Sequence, residues 1–131
     1  MGESTQPRPV GVSSDASDFL DTALSRPHPD TVVLAVRGEI DTLTAPVFTA
    51  ATEELLTAPG EILVADLTEV RFLASSGLAV LISAAHRAEE RGVRLQLVVA
   101  NRAVRRPLDI TGTAALFDLH PDLRSAYGGR N

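Results

Sequence analysis

EILVADLTEVRFLASSGLAVLISAAHRAEER, residues Glu61–Arg91, is the stretch on which the fold of this chain turns. Ile62, Leu63, Val64 and Ala65 form a short, continuous apolar run, the pattern of a strand buried on both faces. Asp66 to Arg71 reads as a connection, followed by Phe72 and Leu73 and then by Ala74, Ser75, Ser76 and Gly77. From there Leu78, Leu81, Ile82, Ala85 and Ala88 recur at i, i+3, i+4 and i+7, which builds one apolar helix face, and Gly92 stops the helix. The stretch therefore predicts a strand, a pair of serines and a helix, with the serines at the helix N-terminus. Unpaired N–H groups and the positive end of the macrodipole favour an anion there, so this is a place to put a phosphate.

Working outward, Thr31–Arg37, TVVLAVR, is an apolar strand suited to the centre of a sheet. Before it, Phe19, Leu20, Ala23 and Leu24 give a weaker strand signal within Asp18–Ser25, and Arg26-Pro27-His28-Pro29-Asp30 reads as the turn of a hairpin. Gly38, Glu39, Ile40 and Asp41 leave the central strand toward Thr42 and Thr44, both good N-cap types, with Pro46 in the first turn of a helix that buries Phe48, Ala51 and Leu55. That helix ends at Thr57-Ala58-Pro59-Gly60. Downstream, Val93–Val99 reads as a strand nearer the sheet edge. Asn101 then caps a third helix that turns Val104, Leu108 and Ile110 inward, is broken or kinked at Pro107 and stops at Gly112. Ala115, Leu116 and Phe117 are candidates to touch the core, and Pro121 opens a short last helix to about Tyr127. The alternation predicts an α/β fold: a mostly parallel central sheet of about four to five strands with helices packed on it. Residues 1–16 read as a polar, disordered tail, 17–127 as one domain and 128–131 as a frayed end.

The chain has 131 residues, 44% of them hydrophobic, enough for a single real core. With no Cys and no Trp, a disulfide framework or a Cys-ligated metal site is excluded. No apolar run approaches the length of a membrane span and the first residues lack the pattern of a signal peptide, which leads to the expectation of a cytoplasmic protein that does not enter the membrane. The net charge of −5 argues against a nucleic-acid partner, although Arg102, Arg105 and Arg106 form a local basic cluster. No cofactor motif is present, and neither His86 nor His120 has neighbours at metal-ligand spacing.

Ser75 and Ser76 have a plain structural reading as helix caps, and Asp41 has one as a cap or turn residue. An enzymatic reading would pair Ser75 with His86. Eleven residues along one helix separate them by roughly 16 Å, too far for a nucleophile and its base. No G-x-S-x-G elbow is present either, and the hydrolase reading is rejected.

Four patterns in order carry a resemblance: Gly38-Glu39-Ile40-Asp41 after a strand, Asp66-Leu67, Phe72-Leu73-Ala74-Ser75-Ser76-Gly77-Leu78, and Arg102-Ala103-Val104-Arg105-Arg106 with Asp109-Ile110-Thr111-Gly112. Together, over roughly Asp18 to Tyr127, they resemble the STAS-domain antagonists of bacterial anti-sigma factors. The resemblance implies a non-enzymatic partner switch without a cofactor, a monomer or weak dimer. The unphosphorylated form binds an anti-sigma factor that is itself a serine kinase, and sigma factor is released. Phosphorylation of the first serine of a D-S-S-G motif ends that binding, and a serine phosphatase restores it. Carried onto this chain, the acceptor is Ser75, with Ser76 as the alternative, and Asp41, Ser75, Ser76 and Gly77 fall in the partner-binding surface. The family's acid before the serines is Ala74 here, and Pro107 falls where the family continues its helix. The missing acid keeps a second reading open, a STAS scaffold or regulatory subunit that binds a protein partner without being phosphorylated.

Overall fold

The computed structural model describes residues 20–128; the predicted tail, Phe19 and the last three residues lie outside them. Five strands alternate with helices: β1 (Leu20–His28), β2 (Thr31–Ile40), α1 (Ala45–Thr57), β3 (Ile62–Leu73), α2 (Ser75–Glu90), β4 (Leu95–Val98), α3 (Arg102–Thr111), β5 (Asp118–His120) and α4 (Leu123–Ala126). The strands lie in sequence order across one sheet. β1 is antiparallel to β2, and the other pairings are parallel, as the alternation predicted. Parallel crossovers are right-handed as a rule, and where the strand order never reverses, that rule puts successive crossover helices on the same face of the sheet. α1, α2 and α3 accordingly share one core with Leu34, Leu63, Ala65 and Leu97 of the sheet. The other face keeps a smaller cluster of Val33, Val64 and Val98 under Ala126, with Leu123 and Tyr127 packed against it.

Burial follows the sequence pattern closely in the centre. Leu63 and Ala65 face the three-helix layer while Val64 faces α4, so β3 is buried on both sides. Phe48, Ala51 and Leu55 are buried from α1, and Leu78, Leu81, Ala85 and Ala88 from α2. Removing a Leu or Phe side chain from water contributes about 1.5–3 kcal/mol, so these positions hold the helices on the sheet.

Several elements differ from the sequence reading. Asp66–Arg71 is the second half of a twelve-residue β3, not a connection. Its pairing with β2 slips twice, between Ala35 and Arg37 and between Gly38 and Glu39, and each slip inserts one extra residue into β3. β1 runs on to His28, so the turn is confined to Pro29 and Asp30, and β2 continues through Ile40. β4 is shorter than Val93–Val99. α3 is continuous through Pro107 because Val104 and Leu108, one turn apart, are both fully buried and hold the two halves to the core. Ile110 is 70% exposed rather than inward. Of the three residues after Gly112, Phe117 is buried, Leu116 packs against the core and Ala115 is exposed. β5, unforeseen, adds a fifth strand. α4 starts at Leu123, two residues later than Pro121 suggested, and is capped by Asp122, whose carboxylate accepts from the Ser125 N–H at 2.9 Å.

Candidate functional site

The site lies at the C-terminal ends of β2 and β3, where α1 and α2 begin. Ile40 and Leu73 are register partners, and the Ala74 N–H donates to the Ile40 carbonyl at 2.8 Å. Asp41 and Ser75 therefore leave neighbouring parallel strands at the same edge, the edge at which open α/β sheets place their binding sites. No hydrogen bond joins the two side chains.

Asp41 is half-buried and organises its own loop. Its Oδ1 accepts from the Thr44 N–H at 3.0 Å, while Thr44 Oγ1 accepts from the Asp41 N–H at 2.9 Å and donates to the Glu39 carbonyl at 2.8 Å. This reciprocal pair has the form of a capping box and supports the turn that enters α1; Thr44 itself adds no side-chain cap to the helix. Only Oδ1 is used, so Oδ2 remains available to a partner.

The helix frame at α2 differs from a serine-capped one. Ala74 occupies the N-cap position, in extended backbone and without a side-chain acceptor, which makes Ser75 and Ser76 the first two helical residues. The plain reading of either serine as the cap is thus overturned. Gly77 sets this frame. It is buried, and a Cβ there would overlap Ile40 Cγ2 and approach Leu73 Cδ1 to 2.8 Å, so the first turn of α2 rests directly on the ends of both strands. Ser75 is exposed, whereas Ser76 turns inward and its Oγ is buried with no hydrogen-bond partner. Of the four residues expected in the partner surface, the structure leaves Asp41 half-exposed and Ser75 exposed, and puts Gly77 and the Ser76 hydroxyl beneath them.

Two apolar residues that the sequence reading did not single out flank the site. Leu43, in the loop after Asp41, is 58% exposed, and Phe72, three residues before Ser75 and paired with Glu39, is 51% exposed. The signal for Phe72 was hidden because its outward turn depends on the second slip in β3.

The other candidates disperse. His86 is exposed near the far end of α2, and His120 lies on β5 with its Nε2 2.6 Å from Gln96 Oε1. No cluster of potential metal ligands occurs among the described residues. No helix among them is long and apolar enough to cross a membrane. Arg102, Arg105 and Arg106 are exposed on α3, and Arg105 pairs with Asp109 at 3.1 Å.

A five-stranded sheet covered on one face by three helices, with an exposed serine on an uncapped helix start, defines a small α/β module built around one edge. The family model described as the STAS domain matches residues 23–126, and the chain belongs to the STAS-domain family. Among its relatives, the anti-sigma-F factor antagonist RsfB of Mycobacterium tuberculosis is 35% identical over 107 residues, covering 79% of this chain and 87% of RsfB. The anti-sigma-B factor antagonist of Listeria monocytogenes is 33% identical over 90 residues, covering 69% and 79%. The crystal structure of an anti-sigma factor antagonist from Mycobacterium paratuberculosis superposes with a TM-score of 0.75 at 34% identity, over 85% of this chain and 93% of that one.

Proposed function

We propose that this chain is an anti-sigma factor antagonist: it binds a kinase-type anti-sigma factor through the edge formed by Asp41 and Ser75, and phosphorylation of Ser75 ends the binding. The observation that carries this reading is the exposed Ser75 hydroxyl on the first residue of a sixteen-residue helix whose start has no side-chain cap. The relatives named as antagonists support the role, and the buried Ser76 Oγ supports Ser75 as the acceptor. A phosphate on Ser75 adds about −1.5 to −2 charges at a surface flanked by Leu43 and Phe72, so it opposes docking by desolvation and by repulsion from any partner carboxylate. The chain acts as a binding switch, without catalysis of its own, and a serine phosphatase returns it to the binding form.

The test is incubation with kinase-type anti-sigma factors and ATP, read by intact mass and by pull-down before and after modification. Ser75→Ala is expected to abolish the added phosphate, and Ser76→Ala to preserve it. A phosphate mapped to Ser76 alone refutes the acceptor assignment. Ala74, which leaves the serine without a neighbouring acid, favours a second reading in which the module binds its partner unmodified. Stable binding with no added mass under any kinase would select that reading.

A further inference from the structure

A surface groove runs between α1 and α2, walled by Thr49 of α1 and by Ala79 and Ser83 of α2, with Leu56 in its floor. Its geometry ties it to Ser75. Positions four apart on a helix drift by about 40°, so Ser75, Ala79, Ser83 and Arg87 form one slowly winding line on α2. That line leads from the exposed hydroxyl into the groove, and Ser75, Ala79 and Ser83 are all exposed along it. Both helices start at the sheet edge that carries Asp41 and Ser75, so the groove opens onto that edge. Its far end is closed by Arg87, which forms a two-pronged ion pair with Glu53 across the two helices, Nη2 to Oε2 at 2.6 Å. Beyond it Arg91 of α2 donates to the Leu56 carbonyl at 2.7 Å. These bonds bridge the two walls, and the groove is present in the chain without a partner.

We propose, resting on the reading above, that this groove receives an α-helix of the anti-sigma factor, which lies along α1 and α2 and passes over Ser75 at its mouth. Continuity with the Ser75 edge argues for the same partner. The chemistry argues for a helix: the backbone groups of both walls are already bonded within α1 and α2, so an extended segment finds no strand edge to pair with, whereas the ridge of a third helix fits between two packed helices. Small walls at Thr49, Ala79 and Ser83 allow close approach. A side-chain hydroxyl on each wall and the apolar floor select a helix face of small and aliphatic residues with polar margins. Phosphate on Ser75 then stands in the path of the docked helix, which gives the switch its mechanical basis.

The chain contains no cysteine, so Ser83→Cys introduces a single thiol in the groove wall. Its alkylation is expected to slow at least tenfold when the anti-sigma factor is bound, while the thiol of Glu89→Cys, exposed on the opposite flank of α2, stays as reactive as in the free protein. Ala79→Trp, which fills the groove, is expected to weaken binding at least tenfold without changing the melting temperature. If that variant is destabilised, Thr49→Trp on the other wall replaces it. Binding by the unmodified wild-type chain that is lost on phosphorylation of Ser75, together with an unprotected groove thiol in the Ser83→Cys variant and full binding by the tryptophan variants, overturns the groove proposal and leaves the phosphoswitch standing. Failure of the wild-type chain to bind any kinase-type anti-sigma factor overturns both.

Discussion

α2 and α3 begin at the same edge of the sheet, yet their starts are fastened by opposite means. At α3, Asn101 accepts from the Val104 N–H at 3.2 Å through Oδ1, and its Nδ2 donates to the Val70 carbonyl at 3.0 Å and the Thr68 carbonyl at 3.3 Å. One side chain caps the helix and ties it to the half of β3 that β4 does not reach. At α2 the corresponding residue is Ala74, which can do neither, and the start is held from beneath by Gly77 against Ile40 and Leu73. Packing has replaced capping. The difference leaves Ser75 exposed and the first turn of α2 without a capping side chain, whereas the start of α3 is occupied by its own side chain.

Breaking the packed start should have the largest effect. Gly77→Ala forces a methyl group into Ile40 and Leu73, and overpacking of this kind costs about 1–3 kcal/mol or more. The expected outcome is a fall in melting temperature of roughly 5–15 °C. Because the frame of Ser75 depends on that contact, phosphorylation by a partner kinase should fall as well. A variant that melts like the wild type would show that the first turn of α2 can move outward at little cost.

Breaking the capped start should cost less. Asn101→Ala removes a cap worth about 1 kcal/mol and leaves the Val70 carbonyl without its side-chain donor, for a total of about 1–2 kcal/mol. Thermal or urea unfolding measures it. Modification of Ser75 should be unchanged, since α2 does not use Asn101; a large loss of modification would mean that the two starts are coupled.

Converting one start into the other is a sharper probe. Ala74→Asp supplies an acceptor at the N-cap of α2 and should stabilise by about 0.5–1 kcal/mol. It should also raise the single-turnover rate of Ser75 phosphorylation at saturating ATP, because an orienting acceptor acts on the placement of the nucleophile. An equal or slower rate would refute the second expectation without touching the first.

The contrast between the two starts also explains what could be read in advance. The α/β order, the buried strands and the inward faces of α1 and α2 were legible because Val32, Leu34, Phe48, Leu81 and their neighbours repeat with the period of their elements. The second half of β3 was not, because its two inserted residues space Leu67, Val70 and Leu73 three apart and erase the period of two. β5 was missed because it is three residues long with polar ends: Gln96 Nε2 donates to Asp118 Oδ2 at 3.1 Å, and Arg94 Nε donates to Asp118 Oδ1 at 2.9 Å. Asn101 as a cap was legible, being the one good capping residue before its helix. Around Ser75, two adjacent hydroxyls fit any of several frames, and only the tertiary contact of Gly77 with Ile40 selects the one in which Ala74 takes the cap. The groove between α1 and α2 had no local signal at all, since its walls meet only when both helices are on the sheet.

The smallest effect separates the cap of α4 from that of α3. Both are side-chain acceptors, but Asn101 is a neutral amide and Asp122 a carboxylate. Hydrogen bonds from the Ser125 backbone and side chain hold the Asp122 carboxyl below its ordinary value. A depressed carboxyl contributes stability that is present above its unfolded value and is lost as pH falls through the lower, folded one. The start of α4 should therefore loosen below the usual Asp range, while that of α3 has no such pH dependence. Tyr127, the C-cap of α4, is the only tyrosine in a chain without tryptophan, and its ring meets His28 of β1 edge-on at 5.2 Å, so its fluorescence reports on the seat of α4 against the sheet. Its fluorescence should change reversibly in acid before the far-ultraviolet circular dichroism does. Asp122→Asn keeps an acceptor in place and removes the titration, so the early step should vanish in that variant; an identical acid profile in both proteins would assign the change to other titratable groups, His28 beside the ring included.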